Sequence, residues 1–200
     1  MGLPYLDGVH LVAASEPPPV WPPADGWSPD PYQGAGLNSW SGIKDSLIAF
    51  GRDGILRRPG QVFLEVWSRY GRLDPRSAAP MMTGLAMSLC LSDGAYLYAD
   101  PDWWRDEKGE LNSGEHSWYS AWDRSLGAPL EGIKTSPNSE GFFQREFEEG
   151  WAVYVPASLS AVAEIELSEE ALCPATGKRS FRHQMNPGQG GLFLKTDLAQ

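Results

Sequence analysis

Glu65 sits in "QVFLEVW" (61–67), an apolar run that it alone interrupts. Asp100 closes a second such run, "AYLYAD" (95–100). A carboxylate in an apolar strand is costly unless it is paired or solvated, so Glu65 is either a working group or ion-paired to a nearby cation such as Arg69. Asp100 precedes Pro101, which suits a turn as well as a ligand contact. Around these two carboxylates the chain is rich in aromatic and polar groups. Glu16, Trp27, Trp67, Arg69, Tyr70, Trp103 and Trp104 all follow, or lie near, the ends of apolar runs. Carboxylates flanked by indoles suit carbohydrate chemistry. One carboxylic acid protonates the departing glycosidic oxygen, and a second carboxylate acts as nucleophile or as base for water. The flat indole faces hold sugar rings. Glu65 and Asp100 are the catalytic candidates, and the other seven residues are the substrate-binding candidates. The same tryptophans could equally pin the segments that carry them.

Other chemistries lack their parts. There is no G-x-S-x-G, P-loop or G-x-G-x-x-G motif, and no cofactor is expected. His10, His116 and His183 are scattered, and no metal-ligand spacing exists, so no metal site is expected. Cys90 and Cys173 are read as two thiols rather than a disulfide. The net charge of −10 argues against nucleic acid and anionic membrane surfaces, which need Lys and Arg. No stretch approaches about 20 apolar residues, the length of a membrane span. "MGLPYLDGVHLVAAS" lacks the basic start of a signal peptide, and no compartment follows from the sequence.

The elements that must position these residues follow from periodicity. "YLDGVHLVAA" (5–14) predicts a buried strand, with His10 as a core histidine and Asp7 structural. The next 26 residues hold seven prolines and predict a long functional loop. Trp40, Ile43, Leu47 and Phe50 mark one apolar helical face, and "RRPG" (57–60) closes that segment. Residues 61–67 predict a strand buried on both faces. Met81, Leu85 and Leu89, beside Met82, Ala86 and Cys90, predict a second helix ended by "SDG" (92–94). Residues 95–100 predict a third strand, and a short helix is expected near 117–126. From 142 onward "FFQREFE", "WAVYVP", "AVAEIEL", "RSFRHQ" and "GLFLK" predict strands without helices between them. The expected class is α/β followed by all-β. In parallel α/β folds the site lies at the carboxyl ends of the strands, where the nine candidates fall.

"YLDGVHL", "VFLEVWSRYG", "MMTGLAMSLCLSDGAYLYAD", "SLGAPL" and "FFQREFEEGWAVYVP" occur in an order that resembles glycoside-hydrolase-like (β/α)8-barrel proteins. In those, a strand ending in a carboxylate precedes a small-residue helix and a last barrel strand that opens on Asp-Gly-aromatic. An "R-x-F-x-x-G-x-V-x-x-N-P" hairpin then opens a C-terminal β-sandwich. Val155 departs from the Asn common before that Pro. The resemblance covers most of this chain but only the last part of such a protein. It implies a partial (β/α) barrel of about three βα units over 1–135, and a small antiparallel β-sandwich over 136–200. A whole barrel takes about 250 residues, so this piece would need the missing part of the barrel, or self-association, to cover its strands. Glu65 then resembles the seventh-strand carboxylate that serves as nucleophile or base. The isolated chain is expected to have no glycosidase activity, because the other carboxylate would lie on an absent strand. The resemblance implies that the 142–156 hairpin buries Phe143, Phe147, Val153 and Val155 on one face, leaves the other wet, and makes Glu146 and Glu148 structural. The rival expectations are a non-catalytic carbohydrate-binding or accessory protein, and an open α/β protein whose loop tryptophans are structural.

Overall fold

The computed structural model describes residues 6–14, 40–53, 56–67, 75–93, 95–99 and 123–195. Three strands alternate with two helices in its first part. They are β1 (Leu6–Ala14), α1 (Trp40–Asp53), β2 (Leu56–Trp67), α2 (Pro75–Leu91) and β3 (Ala95–Ala99). The strands are parallel, in the order β1-β2-β3. Five antiparallel strands follow: β4 (Phe143–Phe147), β5 (Gly150–Tyr154), β6 (Ala163–Cys173), β7 (Lys178–Met185) and β8 (Gly190–Leu194). They form one sheet in the order β4-β5-β8-β6-β7.

α1 buries the stripe its sequence prescribes. Ile43 and Leu47 are buried and Trp40 is partly covered. α2 behaves differently. "PMMTGLAMSLCL" is apolar or small almost all round, the pattern of a helix covered on several sides. On one side it shares a core with Leu64 of β2 and with Ile43 and Leu47. On the other it meets Phe143, Phe147, Ala152, Tyr154, Leu192 and Leu194 of the antiparallel sheet. The two sheets therefore enclose α2 between them. Gly190 allows this close approach, because a Cβ there would lie 2.6 Å from the Thr83 Cα. The Gly190 N–H donates to Thr83 Oγ1 at 3.2 Å.

This architecture corrects the expected fold class. The chain is not a partial (β/α) barrel. Barrel helices form an outer ring around a closed sheet, whereas α2 is an inner layer and the three-stranded sheet is open at β1 and β3 among the described residues. The helix expected near 117–126 lies mostly outside the described residues, and residues 124–126 are not helical. Strands dominate the described structure, and the largest unit is the five-stranded antiparallel sheet.

The second half is likewise one sheet rather than a two-sheet sandwich. β6 and β8 share a single pair, Leu172↔Leu194. The β6–β7 ladder shifts register between Glu166 and Ala171. Such a shift bends a strand and increases its twist. Beyond it, Ala163, Ile165 and Leu167 pack with Trp151, Val153, Phe193 and Met185 in a second core. The sheet thus covers its own second face.

Two local expectations also change. "RRPG" does not close α1; it lies inside β2, where the ladder passes from Leu6↔Leu56 to Gly8↔Gln61. Pro59 has no N–H to give a ladder, and an irregularity of this kind is where a strand tolerates it. The β4–β5 hairpin does not have one dry and one wet face. Phe143 and Phe147 join the α2 core, while Val153 and Val155 join the second core, on the opposite face. β5 is buried along its whole length because layers cover both faces.

The charge within that hairpin has a structural use. Arg145 is 3% exposed. Its Nη1 donates to the Leu89 carbonyl at 2.9 Å and the Ser92 carbonyl at 3.2 Å, at the C-terminal end of α2. Nη2 meets Asp93 at 2.8 Å, and Nε donates to the Glu131 carbonyl at 3.0 Å. The guanidinium also lies over the Phe147 ring, 5.3 Å from its centroid. The last carbonyls of a helix lack intrahelical partners and carry partial negative charge, so a cation there satisfies both needs.

Candidate functional site

β2 carries two of the nine sequence candidates. Glu65 stands opposite Val12 of β1 and Leu97 of β3, and Trp67 stands opposite Ala14 and Ala99. Parallel strands in this register end level with one another. The chain thus leaves the sheet at Ala14, Trp67 and Ala99 on one edge. The segments that follow Ala14 and Ala99 carry Trp21, Trp27, Trp103, Trp104, Trp118 and Trp122, six of the nine tryptophans of the chain. Glu16, Trp27, Arg69, Tyr70, Asp100, Trp103 and Trp104 lie outside the described residues. In the last three positions of the three parallel strands the only carboxylate is Glu65.

The antiparallel sheet holds a second feature, an open groove of about 580 Å³. Its floor is Phe142, just before β4, with Gln144 and Glu146 of β4 and Trp151 of β5. Glu131, Asn138 and Glu140 form the wall beside β4, and Glu164, Glu166 and Arg182 form the wall on the β6–β7 hairpin. Trp151 is buried beneath Lys195, whose Nζ lies 4.7 Å from the ring centroid. Lys195 also meets Glu146 at 2.8 Å and Glu169 at 3.5 Å. Burial works against the Lys195 ammonium, but these two carboxylates outweigh it and raise its pKa. Burial would raise the Glu131 carboxyl; the Glu146 N–H and the Lys134 ammonium, 3.0 Å away, hold it below the usual carboxylate range. Arg182 spans Glu164 at 3.9 Å and Glu166 at 3.2 Å. Glu148 lies outside the groove and accepts the Ala128 N–H at 2.9 Å.

The groove has five carboxylates, two primary amides and one guanidinium, and it lacks any histidine, serine or cysteine nucleophile. These groups supply acceptors for cations and for N–H or O–H donors. Among the described residues no group of three or more His, Cys, Asp or Glu is placed to hold a metal ion. Cys90 and Cys173 are both free thiols, Cys90 buried and Cys173 half-buried. His183 is buried in the second core, its Nε2 within 3.1 Å of the Ala171 and Ser180 carbonyls. No described helix is long and apolar enough to cross a membrane.

Sequence reasoning overlooked this groove. Its ten residues span 131 to 182 and come from the stretch before β4 and from four strands. The one available signal was alternation in "AEIELSEE", which sets Glu164 and Glu166 on the side opposite Ile165 and Leu167. No protein-family model, curated protein or solved structure matches this chain.

Proposed function

We propose that this protein binds carbohydrate at the carboxyl edge of its parallel sheet, as a non-catalytic binding or accessory protein. The observation that carries the reading is the register. It brings the ends of β1, β2 and β3 level, so that Trp67 and two tryptophan-rich segments leave the sheet at a single edge. Indole rings offer broad apolar faces with one N–H donor, the chemistry that stacks on pyranose rings. The acidic balance of the chain fits a neutral or cationic sugar better than an anionic one.

Binding is favoured over hydrolysis by the count of carboxylates. Glycoside hydrolysis takes two, held about 5 to 9.5 Å apart. The described strand ends supply one, Glu65. Asp100, next after Ala99, is the candidate second member if a hydrolase reading is to hold.

The test is a tryptophan-fluorescence titration with cello-, xylo- and chito-oligosaccharides, run beside an assay for new reducing ends. Saturable quenching without new reducing ends is expected, and Trp67→Ala should weaken it. No fluorescence response to any of the three series would overturn the proposal. Turnover that is abolished by Glu65→Gln would replace it with the hydrolase reading.

A further inference from the structure

Leu64 marks the side of the parallel sheet that faces the helices. It is buried in one core with Ile43 and Leu47 of α1 and with Met81, Met87 and Leu91 of α2. Successive residues of a strand alternate between its faces, so Glu65 and Trp67 share the opposite face, away from α2. From Gln61 to Trp67 the ladder with β1 runs without a shift, as does the ladder with β3 from Phe63 onward. The register therefore carries this assignment to both neighbouring strands. Val12 and Leu97 stand beside Glu65 on that face, and Ala14 and Ala99 stand beside Trp67.

Two properties of this face bear on a ligand. The first is size. At the carboxyl edge the bulkiest residue type, Trp67, has alanine level with it on each neighbouring strand, which leaves room for a flat ring. The second is charge. In the stretch paired from Gly8 and Gln61 onward, Glu65 is the one carboxylate on this face, and no Lys or Arg of the three strands shares it. A carboxylate between valine and leucine is costly without a counter-charge, and these strands supply none there.

We propose that the carboxyl edge selects a cationic amino sugar, with Trp67 holding the sugar ring and Glu65 holding its ammonium group. Two residues of strand span roughly 6.6 Å, a separation that one pyranose unit and its amino substituent bridge. An ammonium makes a charge-assisted hydrogen bond to the carboxylate, whereas an acetamido or hydroxyl group offers a neutral donor. The net charge of −10 draws the same kind of ligand from a distance. This selectivity rests on the carbohydrate reading and adds to it the charge of the ligand and the residue that reads that charge.

The test uses the full chain, a glucosamine tetrasaccharide and its N-acetylated counterpart, titrated by tryptophan fluorescence at mildly acidic pH, where the free amine is protonated. The glucosamine chain should bind about tenfold more tightly, the worth of one hydrogen bond to a charged group. Glu65→Gln keeps the shape and removes the charge, and should bring the two affinities together by weakening only the glucosamine chain. Trp67→Ala should weaken both. High salt should narrow the preference of the parent protein, a readout that needs no variant to fold. Three results would overturn the selectivity while leaving the carbohydrate reading in place: equal or weaker binding of the glucosamine chain, a preference that survives Glu65→Gln, or a preference undiminished by salt. Binding of neither sugar would overturn both.

Discussion

Replacing Arg145 with alanine removes four hydrogen bonds at once and leaves their acceptors behind. Three acceptors are main-chain carbonyls, those of Leu89, Ser92 and Glu131, drawn together around one guanidinium. The fourth, Asp93, has a side chain 63% exposed, so water can replace the cation there. An exposed ion pair is worth at most about 1 kcal/mol. The cost of Arg145→Ala therefore comes mainly from the stranded carbonyls and from the packing lost beside Phe147. Hydrogen bonds to charged groups contribute roughly 1.5–3 kcal/mol each, and breaking up a buried charge site costs roughly 3–5 kcal/mol in all. A loss of about 4 kcal/mol is expected from a total stability of about 5–15 kcal/mol. Arg145→Lys should recover less than half, because an ammonium cannot span acceptors that lie along both edges of a planar fork. Asp93→Asn should cost about 1 kcal/mol or less. Urea unfolding followed by far-UV circular dichroism reads all three from the midpoint at constant slope. Two results would refute the reasoning: an Arg145→Ala loss below about 1 kcal/mol, or an Arg145→Lys variant as stable as the parent.

Gly190→Ala should destabilise the protein by roughly 1–3 kcal/mol, the usual cost of overpacking, since the new Cβ meets the α2 backbone at Thr83; a melting-temperature series would read it. Burial pushes the Cys90 thiol up to about 12, against smaller opposing effects of Arg145, so it should resist alkylation at pH 8 in the folded protein and react only on unfolding, as mass spectrometry after an iodoacetamide pulse would show. The same shift links to stability. Cys90 and Tyr154 have folded pKa values of about 12, raised from ordinary values of 9.0 and 10.0, each with burial as the largest cause. Below about pH 9 both keep their protons in either state and stability is unaffected. Between about pH 9 and 12 the unfolded chain ionises first and stability falls. Urea midpoints measured across that range should fall less steeply in a Cys90→Ala, Tyr154→Phe double variant.

Periodicity carried the local structure. The apolar stripe of α1, the apolar run of "QVFLEVW" broken only by Glu65 and the alternation in "AEIEL" each name an element, because one turn of helix and one pleat of strand impose different spacings on residues that must be buried. The order of elements, and the change from parallel to antiparallel grammar near residue 142, follow from the same signals and from linker length. Of the candidate rim, β2 with Glu65 and Trp67 lies in the described structure. The remaining candidates rest on the sequence itself.

What faces what could be settled only by the assembled chain. Alternation says that the two faces of β5 differ; it does not say that α2 covers one and a bent β6–β7 hairpin the other. Arg145 looks in sequence like a solvated charge between two phenylalanines. It becomes a buried cation because the end of α2, 52 to 56 residues earlier, arrives with carbonyls that need donors. The groove exists because Glu164, Glu166 and Arg182 of the β6–β7 hairpin come to lie beside β4 and β5. The sequence by itself determined the elements and their buried stripes, since those are set by neighbours a few residues apart. The layering of two sheets around α2, the placement of Arg145 and the groove were decided by contacts between residues far apart in the chain, which no local spacing encodes.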